Sequence, residues 1–189
     1  FEEPVEHVLA TAIFSLKEYG EYFLSIKILA APLFLISSSV SQVYYQKSAK
    51  LYQHSKAKIY SFTKKLVINN LSIMLFILFL INTFGIYFLE LLLNKSWDNL
   101  RLFTVILSFI VLARSCFNPI SDIIIVLNKN HLSLIFNTYL LIINLLAFYI
   151  GYKLDNILYF LIILSFFGGI GYFVMLFYFL KKLKNIKKS

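Results

Sequence analysis

The sequence holds one cysteine, three histidines, three prolines and six glycines in 189 residues, and only nine carboxylates against eighteen Lys and Arg. Each shortage excludes something. With Cys116 alone there is no disulfide framework, and His7, His54 and His131 have no Cys or carboxylate at ligand spacing, so no metal is expected. The glycines build neither a phosphate-cradling loop nor a nucleophile elbow. No cofactor is expected, and a self-contained enzyme is not the reading these residues support.

What is abundant is apolar surface. Hydrophobic residues make up 60% of the chain and aromatics 18%, and the mean hydropathy is +0.79, where soluble proteins are roughly 45–50% apolar. The excess is gathered in five runs, 22–43, 66–89, 102–127, 132–152 and 156–180. Each is near or above the ~20 residues that cross ~30 Å of hydrocarbon. The fold class expected is all-α, a polytopic membrane helix bundle of about five transmembrane helices forming a single membrane domain.

Charge orients those helices. Glu2, Glu3, Glu6, Glu18, Glu21, Glu90, Asp98 and Asp155 fall in one set of connections; Lys47, Lys50, Lys56, Lys58, Lys64, Lys65, Lys129, Lys181, Lys182, Lys184, Lys187 and Lys188 fall in the alternate set. Lys and Arg are retained on the cytoplasmic side during insertion, which predicts an N-terminus outside, a C-terminus inside, a basic cytoplasmic loop over 44–65 and a basic tail over 181–189. The net charge of +9 is thus divided between a loop and a tail beside the bilayer. Anionic lipid attracts such residues by ~1 kcal/mol each near the surface, so membrane lipid rather than nucleic acid is the expected partner. A start at Phe1, an odd helix count and no targeting signal predict the C-terminal part of a longer transporter, with Val8–Leu16 as the end of a preceding helix.

The polar residues inside the spans carry the functional argument. In the third, Arg114, Asn118 and Asp122 stand at i, i+4 and i+8 and share a face with Thr104, Ser108 and Ser115. A charge at the centre of a span costs ~2.5–3.5 kcal/mol on insertion scales, so Arg114 is expected to face protein or water. Pro119, between Arg114 and Asp122, lacks an N–H and predicts a kink there. Pro32 predicts a second in the first span, near Lys27.

Two readings of Lys27 stand side by side. It snorkels to the outer headgroups along its flexible stem, or it shares a hydrated cavity with Arg114, where a guanidinium fork and an ammonium together suit a phosphate or diphosphate. Asp122 is either a helix-end group paired with Lys129 or an ion-coupling site. Asn137 and Asn144, on one face of the fourth span with Ser133, are interhelical glue at ~0.6 kcal/mol each or, with Asn118, contacts to a sugar. Ser165 and Gly169, beside Gly168 and Gly171, form a small-xxx-small stripe that admits a neighbouring helix closely. Pro32 and Pro119 would be the hinges. A diphosphate cannot cross hydrocarbon unpaired while a polyprenyl tail can stay in lipid, so such a substrate needs buried cations and no tail pocket.

Two stretches carry a family resemblance. Tyr19-Gly-Glu-Tyr-Phe-Leu-Ser-Ile-Lys-Ile-Leu-Ala-Ala-Pro32, continuing through Ser41-Gln-Val-Tyr-Tyr-Gln-Lys-Ser48, resembles the helix that opens the C-terminal half of bacterial polysaccharide-biosynthesis flippases. These belong to the multidrug/oligosaccharidyl-lipid/polysaccharide exporter superfamily. Arg114-Ser-Cys-Phe-Asn-Pro-Ile-Ser121, followed by Val126-Leu-Asn-Lys129, resembles their tenth helix and its short cytoplasmic turn. The similarity covers roughly 17–65 and 108–131, and departs from the family at Lys27, where Arg is usual, and at Gln46, where Pro is common. It implies helices eight to twelve of a twelve-helix transporter in the bacterial inner membrane. The activity implied is flipping of an undecaprenyl-diphosphate-linked oligosaccharide, such as O-antigen for lipopolysaccharide, by alternating access, with cavity cations on the diphosphate and a glycan polymerase or ligase as possible partner. Two rivals remain: a cation-coupled multidrug exporter of the same superfamily, which should rely on intramembrane carboxylates, and a non-transport subunit of a glycan-synthesis complex, which should bury its polar residues in dry contacts.

Overall fold

The structure is a computed structural model that describes residues 13–93, 97 and 99–188; residues 8–12 of the expected preceding helix lie outside the described residues. Ser15 starts the first helix, α1 (Leu16–His54). Its hydroxyl accepts the Glu18 N–H at 3.3 Å and the Glu18 carboxylate accepts the Ser15 N–H at 3.2 Å, satisfying two N-terminal donors reciprocally. At 39 residues α1 is about 58 Å long, near twice the hydrocarbon thickness. Pro32 lies inside it without ending it.

Ser55 leaves helical geometry and α2 (Lys56–Leu80) begins, so the segment 44–65, expected as a loop, is helical on either side of one residue. The reason lies on its inner face. Tyr44 and Ser48 of α1 and Ile59 and Thr63 of α2 are buried at four-residue spacing, the Tyr44 hydroxyl is 2.9 Å from Thr63 Oγ1, and Tyr44 stacks on Phe62. Lys47 lies outside, 4.6 Å over the Phe62 ring. The two helices have each other to pack on, and a helical hairpin forms instead of a loop.

α2 continues through a π-helical turn, Ile81–Gly85, into α3 (Ile86–Leu93). Within that turn Asn82 Nδ2 donates to the Leu78 carbonyl at 2.8 Å and to Ser108 Oγ at 3.0 Å, tying it to α4 (Leu100–Phe117). The third apolar run was expected to be one kinked helix to 127. It is interrupted: α4 stops at Phe117, a 3-10 turn spans Asn118–Ile120, and a short α5 (Ile123–Val126) follows. Pro119 has no N–H to offer the Ser115 carbonyl, so the ladder ends there rather than bending.

Two sharp turns complete the chain, each with a left-handed polar residue after a helix. At Asn128 (φ 55°) the Lys129 N–H reaches back to the Ile124 carbonyl, and at Asp155 (φ 47°) the Asn156 N–H reaches back to Gly151, the bonding of a Schellman end with Asn or Asp where Gly is commoner. They bound α6 (Asn130–Lys153) and open α7 (Ile157–Lys188), whose Leu158 N–H is capped by Asn156 Oδ1 at 2.8 Å.

α4 and α7 form the centre and make the most extensive contact; α1 packs on α4, α6 on α7, and α2 on both. Their apolar windows are 56% and 44% buried, against 12–22% in the other three long helices. Small residues allow the approach: Ser165 donates to the Ile106 carbonyl, and a Cβ on Gly168 or Gly169 would fall 2.6 or 2.5 Å from Ile110 or Phe109. The outward faces are apolar, with Phe34, Phe76, Leu134, Tyr149 and Phe177 each more than 60% exposed. Water does not tolerate such a continuous surface on a monomer; hydrocarbon requires it. Among the described residues five helices are long and apolar enough to cross a bilayer, and the protein is a multi-pass membrane bundle.

At the end that carries Glu18, Glu21 and Asp155, the bundle is held by rings. Phe148 and Phe160 are 4.4 Å apart, and Phe14 and Tyr22 contact Phe160 at 5.7 and 5.4 Å. Gly151 faces this cluster, where a Cβ would meet Phe160 Cβ at 2.9 Å and Phe14 Cζ at 3.0 Å. Phe160 Cβ is fixed to the α7 backbone and cannot swing aside. Gly151→Ala is therefore expected to push α6 from α7 and cost about 1–3 kcal/mol, read as a melting temperature several degrees lower in detergent.

Candidate functional site

A cleft of about 750 Å³ lies between α1 and α6, with α4 and α7 behind it. It exists because α1 and α6 make no extended contact with each other while both pack on the central pair. Each helix contributes one face: Tyr22, Ile26, Ala30, Leu33 and Ser37 at helical spacing on α1; Leu107, Val111, Arg114 and Asn118 from α4 and its end; Leu140 and Asn144 on α6; Leu164, Gly168 and Tyr172 on α7. Gly168 keeps the α7 wall flat.

Four of the expected site residues, Lys27, Arg114, Asn118 and Asn144, line this one cleft from different sides. Arg114 is half-buried. Its Nε donates to the Tyr172 hydroxyl at 3.1 Å, and its guanidinium carbon lies 5.6 Å from the centre of the Tyr172 ring. Lys27 is exposed, with its ammonium 4.9 Å over the ring of Phe23 one turn earlier. It lines the cleft and leans toward the start of α1. Asn118 accepts from Ser121 with its carbonyl at 2.8 Å, which holds the turn at Pro119.

The others lie apart. Asn137 is exposed on α6 and off the cleft wall. Asp122 is half-buried in the turn beyond Pro119, where its carbonyl accepts the Ile125 and Val126 N–H groups, and it is not on the cleft wall. Pro32 sits between the lining residues Ala31 and Leu33, and Pro119 is buried behind Asn118. Among the described residues no cluster of three His, Cys, Asp or Glu could hold a metal.

Three features escape the sequence pattern. Tyr172 shares the α7 face of Leu164 and Gly168, a spacing that reads as packing until Arg114 is placed against it. Ser37 Oγ is buried without a hydrogen-bond partner among the described residues and belongs to the cleft wall. Glu21, grouped by sequence with the exposed acids, is fully buried. Its carboxylate accepts Asn99 Nδ2 at 3.0 Å and the Asn99 N–H at 3.4 Å, while Ser25 donates to the Glu21 carbonyl at 2.8 Å and Thr104 reaches Ser25 at 3.3 Å. This network fastens α1 to the start of α4 beside Tyr22, at the rim of the cleft.

Chemically, the cleft offers two cations from different helices, amides from two more positions and the phenols of Tyr22 and Tyr172, set in aliphatic side chains that lower the local dielectric and strengthen attraction to an anion. No carboxylate stands among the described lining residues. The chain matches no protein-family model, no curated protein and no solved structure.

Proposed function

We propose that this protein moves a polyprenyl-diphosphate-linked oligosaccharide from the cytoplasmic to the outer leaflet of a bacterial inner membrane by alternating access. The observation that carries the reading is that Arg114 and Lys27, from different helices, line one cleft with Asn118 and Asn144. A diphosphate stripped of water in hydrocarbon carries a prohibitive desolvation cost, and two cations in an apolar wall offset it where it must cross. The gap between α1 and α6 leaves the tail in lipid while the headgroup sits in the cleft; amides at Asn118 and Asn144 suit sugar hydroxyls. With the basic end cytoplasmic, the flux runs from the side of synthesis outward, where a glycan polymerase or ligase would receive the product.

A cation-coupled drug exporter of similar build fits less well, because a cationic drug needs a carboxylate in the cleft and Asp122 lies outside it. The test uses the purified chain in lipid nanodiscs with a short-chain polyprenyl diphosphate as probe. Saturable binding is expected, weakened by salt and competed by inorganic diphosphate but not by the polyprenyl alcohol. Equal binding of the alcohol, or none of the diphosphate, overturns the reading.

A further inference from the structure

We infer that an apolar band divides the cleft into two polar stations at different depths, an inner one marked by Ser37 and Asn118 and an outer one marked by Asn144, and that the cargo's headgroup is handed from one to the other. The handover rests on the proposed function and divides the crossing into two steps. Depth follows from the contacts that set the register of the helices on α7. Phe136 of α6 meets Tyr172 at 5.0 Å and Phe148 meets Phe160 at 4.4 Å, so the two helices run antiparallel and Asn144 falls level with Leu164. On α4, Ser165 donates to the Ile106 carbonyl and Arg114 is bonded to Tyr172, so Arg114 is level with Tyr172. Eight residues of α7 separate Leu164 from Tyr172, about 12 Å along the axis, and Asn118 lies one turn beyond Arg114. Thr104 reaches Ser25 of α1 at 3.3 Å, which places Lys27 near the outer level and Ser37 near that of Arg114.

Between the two levels the cleft is lined by Leu33, Phe34, Val111, Leu140 and Gly168, none with a polar side chain. The stations differ both from this band and from the polar contacts elsewhere in the bundle. Ser25, Thr104, Ser108 and Ser165, which lie where helices pack, all donate to carbonyls of the protein. The side-chain amides of Asn118 and Asn144 have no such partner among the described residues, and Ser37 Oγ has none. Each station thus keeps hydrogen-bonding capacity that a phosphate oxygen or a sugar hydroxyl can use, at a level that also carries a cation. An apolar space stays dry, so the band keeps water and ions from running through while the headgroup rests on one side of it or the other.

The test is the reactivity of single cysteines placed along the cleft of the full chain in nanodiscs, in a Cys116→Ser background, toward a small charged thiol reagent. Asn118→Cys and Asn144→Cys are expected to react quickly, and inorganic diphosphate to slow both. Leu140→Cys and Phe34→Cys, on the two helices that face each other across the band, are expected to react about tenfold more slowly without ligand, because the reactive thiolate does not form in a dry space. Leu140 is half-buried and Phe34 62% exposed, so a slow thiol there reports dryness rather than tight packing. A band as reactive as the stations means one continuous wet cleft and overturns the inference. So does a station as unreactive as the band. Stations that react quickly but gain no protection from diphosphate would instead remove the anion reading of the cleft, on which the handover depends.

Discussion

Arg114→Ala is expected to abolish surface glycan in cells while the protein stays in the membrane at its normal level. The second half of that expectation is as physical as the first. Arginine costs ~2.5–3.5 kcal/mol to insert at the centre of a span and less toward its end, and Arg114 stands in the last turn of α4, so alanine places no new burden on the helix, and the Tyr172 hydroxyl left behind faces a cleft rather than sealed hydrocarbon. The lost function follows from what remains: Lys27, a single ammonium at the exposed side of the cleft, against a diphosphate that must shed its water. Truncating one partner of a desolvated charge contact costs about 2–5 kcal/mol, which is a hundredfold or more in occupancy. Arg114→Lys should fall between, keeping the charge without the fork. Lectin staining of intact cells measures the output and immunoblotting of membranes the abundance. Normal glycan in a well-expressed Arg114→Ala strain would leave the cleft without its proposed role.

How much of this was legible in the sequence depends on the range over which each feature is set. Five apolar runs give five spanning helices because hydrophobic length is local. The helix ends are less local. The 44–65 segment reads as a basic connection, and only the meeting of Tyr44 with Thr63 and Phe62 makes it a hairpin. Arg114, Asn118 and Asp122 read as one face because the period was carried across Pro119; the 3-10 turn there, with three residues per turn instead of 3.6, shifts the phase, and Asp122 leaves the face that Arg114 and Asn118 share. Asn137 and Asn144 differ in another way. Seven residues return nearly to the same azimuth but advance about 10 Å along α6; Asn144 lines the cleft and Asn137 does not. Face is readable from spacing, whereas depth is not. Glu21 was least readable, since an acid near a span boundary looks exposed until Asn99, from another connection, is known to meet it.

Glu21→Ala is expected to be the most destabilising single change at the rim of the cleft. The fully buried carboxylate accepts both the backbone and side-chain N–H of Asn99, immediately before α4, where a negative charge also favours the helix dipole. Alanine removes both acceptors, leaves the two donors of half-buried Asn99 without this partner and leaves a void between α1 and α4. Lost hydrogen bonds to a charged group cost about 1.5–3 kcal/mol where the donors are buried and less where they are half-exposed, so with the void a total of about 2–3 kcal/mol is expected, and the melting temperature should fall by roughly 5–10 °C. Glu21→Gln should lose about half as much, because one amide oxygen still accepts from Asn99 while the amide nitrogen turns a donor on a donor. The chain supplies its own reporter: Cys116 is the single cysteine and 1% exposed in α4, so a thiol-reactive dye reports the opening of that helix on heating. Because α1 and α4 are two walls of the cleft, the same variant should also weaken diphosphate binding at temperatures where the bundle is still folded. A Glu21→Ala protein that melts within about a degree of the parent would show that the aromatic cluster of Phe14, Tyr22, Phe148 and Phe160, and not this carboxylate, sets the spacing of the two walls.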